Sequence, residues 1–183
     1  MSNMTINIAK VKSYLEITAS DFDTLLTDLA ASVGAFIEGY CGRKFDADDY
    51  VEVYSGDGGR FLYLKNYPIS AVTKIEYRNG PNSNPDWQEL SADDYYLIDN
   101  RSIAKDSKFI EGFNNYRVTY SAGYEALPAE LLQAAIEMIA KKFNGRKSDG
   151  ISDESAESAS ITWSRSLTEE QKIVLKRFKK VLL

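Results

Sequence analysis

The chain has 183 residues, a net charge of −5, no histidine and one cysteine. That length suits one domain, or one domain with a large insertion, burying roughly 70% of its unfolded surface. Without histidine the commonest general base and metal ligand are missing, a net negative balance disfavours wrapping phosphates in Lys and Arg, and a lone Cys41 excludes an internal disulfide.

Met1 to Thr5 shows no basic region followed by an apolar stretch, and no apolar run reaches the ~20 residues that span a bilayer. The expectation is an unexported protein made in a reducing cytoplasm, with no membrane partner. Asn7 to Glu16 reads as a short helix with Ile8, Val11, Tyr14 and Leu15 along one face. A longer helix follows, in which Phe22, Leu25, Leu26, Leu29, Val33, Phe36, Ile37 and Tyr40 recur at helical spacing. Ser20-Asp21-Phe22-Asp23 is a capping-box-like start, and Gly42 is a natural terminator because glycine enters the left-handed region freely.

From Tyr50 to Tyr120 the period becomes two and Val, Tyr, Phe and Ile become frequent, which predicts an antiparallel β region. Val51 and Val53 point one way, Tyr50, Glu52 and Tyr54 the other. Ser55 to Gly59 reads as a hairpin loop into Arg60 to Leu64. Further strands are expected at Ala71 to Tyr77, Tyr95 to Ile98, Ser102 to Ala104 and Tyr116 to Tyr120.

A third helix begins with Pro128 in its first turn and offers a stripe of Leu132, Ala135, Ile136, Ile139 and Phe143, ending at Asn144-Gly145. Lys147 to Ser160 holds almost nothing to bury, which predicts a mobile acidic loop over 147–160. The last helix is expected to open at Ser166 with Glu169 three residues on. The domain reading is a single domain over 1–183: N-terminal helices in 7–45, an inserted β lobe in 50–122, and C-terminal helices in 127–183. The fold class is α+β, a helical body of about four helices with an inserted antiparallel, hairpin-rich β lobe.

The candidate chemical sites reduce to structural roles. Gly56-Asp57-Gly58-Gly59 lacks the Lys-Ser/Thr pair and following helix of a phosphate loop and the spaced oxygens of a calcium loop. Asp93, Asp94 and Asp99 beside Tyr95 and Tyr96 invite the reading of a glycosidase carboxylate pair, but adjacent aspartates in a polar loop are ordinary turn residues. Cys41 ends an apolar helical face with no histidine to activate it. No catalytic, cofactor-binding or metal-ligating residue is assigned. The twelve tyrosines raise an alternative, stacking of nucleic acid on an aromatic sheet, and acidic residues throughout the same region weigh against it. A carboxylate-based hydrolase is the other alternative.

The last helix has Glu169 and Glu170 at its start and Lys176, Arg177, Lys179 and Lys180 at its end. This charge order suits the helix dipole and equally a basic docking surface with Phe178 and Leu182 as anchors. The candidate interface is therefore Lys176, Arg177, Phe178, Lys180 and Leu182.

Three stretches in this order, Ile37 to Phe45, Tyr54-Ser-Gly-Asp-Gly-Gly through Tyr67-Pro68-Ile69-Ser-Ala-Val72, and Val118-Thr-Tyr-Ser-Ala-Gly-Tyr124 leading to Pro128, resemble the head-tail connector (head-completion adaptor) proteins of tailed bacteriophages. The resemblance covers about Lys12 to Phe143. It implies a structural virion protein without enzymatic activity: a ring, usually of twelve subunits, at the neck beneath the portal. Such a ring extends a channel through which double-stranded DNA passes and offers a platform to the next neck or tail component. It further implies helical packing between subunits and contact of the C-terminal region with the portal.

Overall fold

A computed structural model describes residues 4–79, 86–146 and 167–180. The expected loop over 147–160, Ser166 and Leu182 lie outside the described residues. The chain divides into two compact units, Met1–Asp46 with Ala126–Leu183, and Ala47–Glu125. The fold is α+β, with four helices and two antiparallel sheets among the described residues.

The first unit holds helices α1 (Ile8–Tyr14), α2 (Asp23–Cys41), α3 (Ala129–Gly145) and α4 (Glu169–Arg177). Asn7 caps α1 by accepting from the Ala9 amide at 2.9 Å. Helix α2 starts later than its Ser20 signal suggests. The Ser20 carbonyl instead accepts from Asp23 N in a turn, and the N-cap residue Phe22 makes no side-chain cap. Phe22 stands edge-on to Phe143 with ring centroids 5.2 Å apart, and Asp23 takes an ion pair with Lys12 at 2.6 Å. A packed aromatic contributes more than the ~1 kcal/mol of a cap, so the aromatic contact sets where the helix begins. The helix ends where expected, at Gly42 with φ 68° and its N–H on the Glu38 carbonyl.

Helix α3 begins one residue after Pro128, which is its N-cap. Its expected stripe is not left open. Ala135, Ile136, Ile139 and Phe143 are buried, as are Leu131, Ala134, Met138 and Ala140, because α1, α2 and α4 all pack against this helix. Helix α4 opens with a capping box two residues beyond the one read from sequence: Gln171 N donates to Thr168 Oγ1 and Thr168 N donates to Gln171 Oε1, both at 3.2 Å. Its inward residues are Gln171 and fully buried Leu175, beside buried Leu167.

The N-terminal stretch lies against α2. Met4 and Ile6 are buried, and Thr5 donates through N and Oγ1 to the Asp46 carboxylate. Gly34 makes this possible, since a Cβ there would stand 2.9 Å from the Met4 carbonyl oxygen.

The described residues of the second unit carry seven strands: β1 (Asp48–Gly56), β2 (Phe61–Tyr63), β3 (Ile69–Tyr77), β4 (Gln88–Glu89), β5 (Tyr96–Leu97), β6 (Ser102–Ala104) and β7 (Gly112–Ala122). They form one sheet in the order β1-β7-β3-β4 and another in the order β2-β6-β5. Strand β7 lies between β1 and β3, antiparallel to both, with Tyr120 opposite Tyr50 and Val72, and Tyr116 opposite Tyr54 and Tyr77. This tyrosine face turns inward. Tyr54, Tyr116, Val118 and Tyr120 join Leu62 and Ile103 of the smaller sheet in one core, while Val51 and Val53 are exposed.

One pairing differs from the sequence reading. The Ser55 to Gly59 stretch does not close a β1–β2 hairpin; β1 pairs with β7 and β2 with β6, so the stretch crosses between sheets. Glycine and aspartate specify a turn without specifying a partner. Partners follow from which faces can be buried together. The crossing is tight at Gly56, whose N–H donates to Asn115 Oδ1 at 2.8 Å and whose absent Cβ would collide with the Ile110 carbonyl.

Glu52 organises the polar part of this core. Tyr54 and Tyr120 both donate their hydroxyls to its Oε2, the latter at 2.6 Å, and the Tyr hydroxyls in turn accept from the Lys65 and Asn66 amides at 3.1 and 3.3 Å. Burial, and then the carboxylate partner, push both phenols up, Tyr120 to about 12 and Tyr54 further, so both stay protonated donors at neutral pH.

Two stability predictions follow from these contacts. Gly34→Ala should lower the thermal midpoint in circular dichroism despite alanine's helix advantage of ~1 kcal/mol, because crowding the Met4 carbonyl costs about 1–3 kcal/mol; an unchanged or raised midpoint would contradict the close packing. Tyr120→Phe should cost about 1–3 kcal/mol in denaturant unfolding, since Glu52 loses a donor and Asn66 an acceptor. A loss below a few tenths of a kcal/mol would show that the hydroxyl network contributes little.

Candidate interaction surface

Several polar groups among the described residues are committed to structure. Asp99 Oδ1 accepts from Arg101 N, Ser102 N and Ser102 Oγ at 2.8, 2.7 and 2.9 Å. Burial acts to raise its pKa, yet these hydrogen bonds outweigh it and hold the carboxyl below its usual value. Asp93 and Asp94 occupy a 3-10 turn, Ala92–Asp94, and are exposed. Nothing here resembles a general acid facing a nucleophile.

Glu76 is buried in a two-pronged ion pair with Arg117, at 2.7 and 2.6 Å, with Lys74 at 3.2 Å. The Arg117 hydrogen bonds, with Lys74 assisting, hold its pKa down. Trp87 takes both Arg78 and Arg117 against its ring, each 4.7 Å from the centroid. This is a stacked brace across β3 and β7. Cys41 is buried and donates weakly to the Leu175 carbonyl at 3.6 Å; burial pushes its thiol up to about 11, so it is unsuited to nucleophilic work at neutral pH. Among the described residues, no group of three or more His, Cys, Asp or Glu is placed to hold a metal ion. No described helix is long and apolar enough to cross a membrane.

Of the aromatic residues behind the nucleic-acid alternative, Tyr116 and Tyr120 on the larger sheet are only 1% exposed and have no face to offer a base, whereas Phe61, Tyr63 and Tyr96 on the smaller sheet are about half exposed.

What remains is surface. At the end of α4 and just beyond it, Lys176, Arg177 and Lys180 are exposed. Arg177 pairs with Glu130 at 2.7 Å, with both side chains open to solvent, and the Lys180 amide donates to the Cys41 carbonyl at 2.7 Å. Phe178 is placed differently: half-buried, its ring stands edge-on to Phe45 with centroids 6.1 Å apart, fastening α4 to its own chain. The outward apolar residue of α4 is Ile173, one turn before Lys176 and Arg177. Its position in the Glu169, Ile173, Lys176, Arg177, Lys180 series is the signal that would have found it.

The second unit exposes more apolar surface than the helices. Phe61, Tyr63, Tyr96 and Ile98 stand outward on the smaller sheet, and Phe113 on β7 is 72% exposed. The apolar residues on both faces of Phe61-Leu62-Tyr63-Leu64 carried that information, because a strand with one wet face alternates.

The model of the family described as head completion protein matches residues 4–181. The fold is similar to a chain in the neck of an empty gene transfer agent particle computed with C6 symmetry, at 16% identity and TM-score 0.62, covering 100% of this chain and 96% of that one. It is similar at the same identity and coverage to a chain in the virion of the native gene transfer agent particle, TM-score 0.62, and to one in the neck of the native particle computed with C12 symmetry, TM-score 0.61. No curated protein matches the chain. With 4–181 matched end to end, and a fold in which helical and β units both find counterparts, the chain belongs to the head completion protein family.

Proposed function

We infer that this protein is a structural component of a phage-type virion neck, a head-tail adaptor that assembles as a ring beneath the portal. The observation that carries the reading is the span of the likeness. The whole chain corresponds to nearly the whole of a neck chain, so the likeness is not one shared module within an otherwise different protein.

In this reading the chain acts as one connector domain, twelve copies close the ring, the portal binds one side and a downstream neck or tail-completion protein the other. The twelvefold count is supported by the C12 symmetry of a similar neck. Its work is done without catalysis, by holding surfaces in place around a passage for double-stranded DNA. The charge distribution suits that passage. Ala47–Glu125 has thirteen acidic against eight basic residues, whereas the remainder has fourteen of each, so the net charge of −5 lies in the β unit. Such a surface repels phosphate and lets a duplex slide. Lys176 and Arg177 on α4, with Lys180 just beyond it, form the partner-facing surface, and Phe178 holds the helix in position.

The test is negative-stain microscopy and mass determination of the purified protein, alone and mixed with the portal protein encoded beside it. Rings with a central channel, free or only on the portal, are the expected result. A protein that stays monomeric and ignores the portal would sink the neck reading.

A further inference from the structure

The larger sheet ends in β1 on one side and β4 on the other, and the smaller sheet ends in β2 and β5. Three of these four edge strands have two or three residues, too few to hold an incoming strand; β1 has nine. Beyond β1 no strand is paired among the described residues, so alternate N–H and C=O groups along it point away from the sheet.

The outward side chains of β1 do not deter a second strand. Val51 and Val53 are 66% and 38% exposed, and β-branched residues pack well beside a neighbouring strand. Other common obstacles to pairing are missing as well. Asp48–Gly56 contains no proline, lysine or arginine, and its register against β7 stays regular up to Tyr54, near its end. Asp48 and Asp49 stand at the start of the strand, where Asp48 Oδ1 accepts the Asp49 amide and Asp49 Oδ1 accepts the Ser121 hydroxyl. The charge at mid-strand is Glu52.

Glu52 points to the inner side of β1, with Tyr50 and Tyr54, and it is held there. Tyr54 and Tyr120 fix Oε2 with their hydroxyls, while Oε1 accepts from the Asn66 side-chain amide at 3.4 Å. The residue is half-buried, so solvent still reaches the carboxylate. Lys65 lies on the same side, its ammonium 5.2 Å from the centroid of the Tyr54 ring. A strand added to β1 lays its own inner side chains across Glu52 and cuts the carboxylate off from water, at a cost that a neutral side chain does not carry. An ordinary surface glutamate rotates outward when covered. Here the two hydroxyls hold the carboxylate in place.

We propose that Glu52 guards the edge of β1: pinned on the inner side of the strand by two tyrosine hydroxyls, its charge keeps that edge from pairing with β1 of a second copy. The pairing it prevents is an antiparallel, two-fold one that ends at two copies. The inference concerns the chain in solution and stands apart from the neck reading.

Four full-length proteins test it: wild type, Glu52→Gln, Glu52→Val, and Glu52→Val combined with Val51→Lys. Glutamine keeps an oxygen for both hydroxyls and removes only the charge, and Val51→Lys puts a charge back on the other side of the same strand. Sedimentation velocity over a concentration series reads association, hydrogen exchange resolved to single amides reads β1, and circular dichroism melting reads folding. Glu52→Val should associate at least about tenfold more tightly than wild type and Glu52→Gln at least about threefold, each with new protection at alternate amides from Asp49 to Val53. Adding Val51→Lys should bring association back to within about threefold of wild type. A folded Glu52→Gln or Glu52→Val that associates no more than wild type overturns the proposal, as does association that leaves the β1 amides unprotected or that Val51→Lys fails to reverse. Where Glu52→Val does not fold, Glu52→Gln decides by the same readings; if neither folds, Glu52 is needed for folding itself and the guard reading falls. Wild-type protein whose β1 amides become protected on self-association also overturns it, because the edge is then an interface.

Discussion

The pairing of β1 with β7 is the constraint on which the rest of the fold depends. These strands are the entry and exit of Ala47–Glu125, and they run antiparallel from Asp48 opposite Ala122 to Gly56 opposite Gly112, with Ala47 N donating to the Tyr124 carbonyl at 3.2 Å just beyond. A flexible insertion of this length would charge the helices about 4 kcal/mol in closure entropy before α2 could meet α3. Because the insertion is itself a folded unit with its ends zipped together, that entropy is lost when the sheet forms. Helices far apart in sequence then assemble as if joined by a short link. The Glu52 network reinforces the same seam, since Tyr54 on β1 and Tyr120 on β7 both donate to one carboxylate.

Much of this was legible in the residues, and the parts that were not share a physical reason. Gly42, Asn7 and the run from Ala129 to Gly145 announce local structure, and local rules place them within a residue or two. The start of α2 and the partner of β2 are decided by tertiary burial. Ser20 is a sound cap signal, yet Phe22 packs against Phe143, more than a hundred residues away, and the helix starts after it. Gly56-Asp57-Gly58-Gly59 is a sound turn signal, yet β7 offers β1 a long tyrosine face to bury and β2 cannot. The Ser166 and Glu169 box was displaced to Thr168 and Gln171 for a similar reason, which leaves Gln171 and Leu175 on the buried side of α4.

The candidate surface was half legible. Charge order along a helix can be read directly, so the exposure of Lys176, Arg177 and Lys180 was legible. Which apolar residue of the same helix faces outward depends on what the helix packs against, and a sequence with Phe178 and Leu175 both near the end of α4 does not reveal that Phe45 takes one and the core the other. The apolar stripe of α3 misled in the same way: helical amphipathicity reports that a face is buried, without saying whether by the same chain or by a neighbour.

That distinction reorganises where assembly can draw its energy. Helices that have spent their apolar faces inside one chain have little left for a second, and α3 is covered on several sides. A sheet of three short strands is different. Its strands have two to three residues each, too little to bury both faces, so Leu62 and Ile103 go to the core while Phe61, Tyr63 and Tyr96 stay outside. An isolated monomer tolerates half-exposed aromatics only at the risk of nonspecific association, and the net negative charge of Ala47–Glu125 moderates that risk by mutual repulsion. The apolar surface open to a second surface is therefore greater in Ala47–Glu125 than on the described helices, which is the reverse of what amphipathic helical periodicity alone suggests.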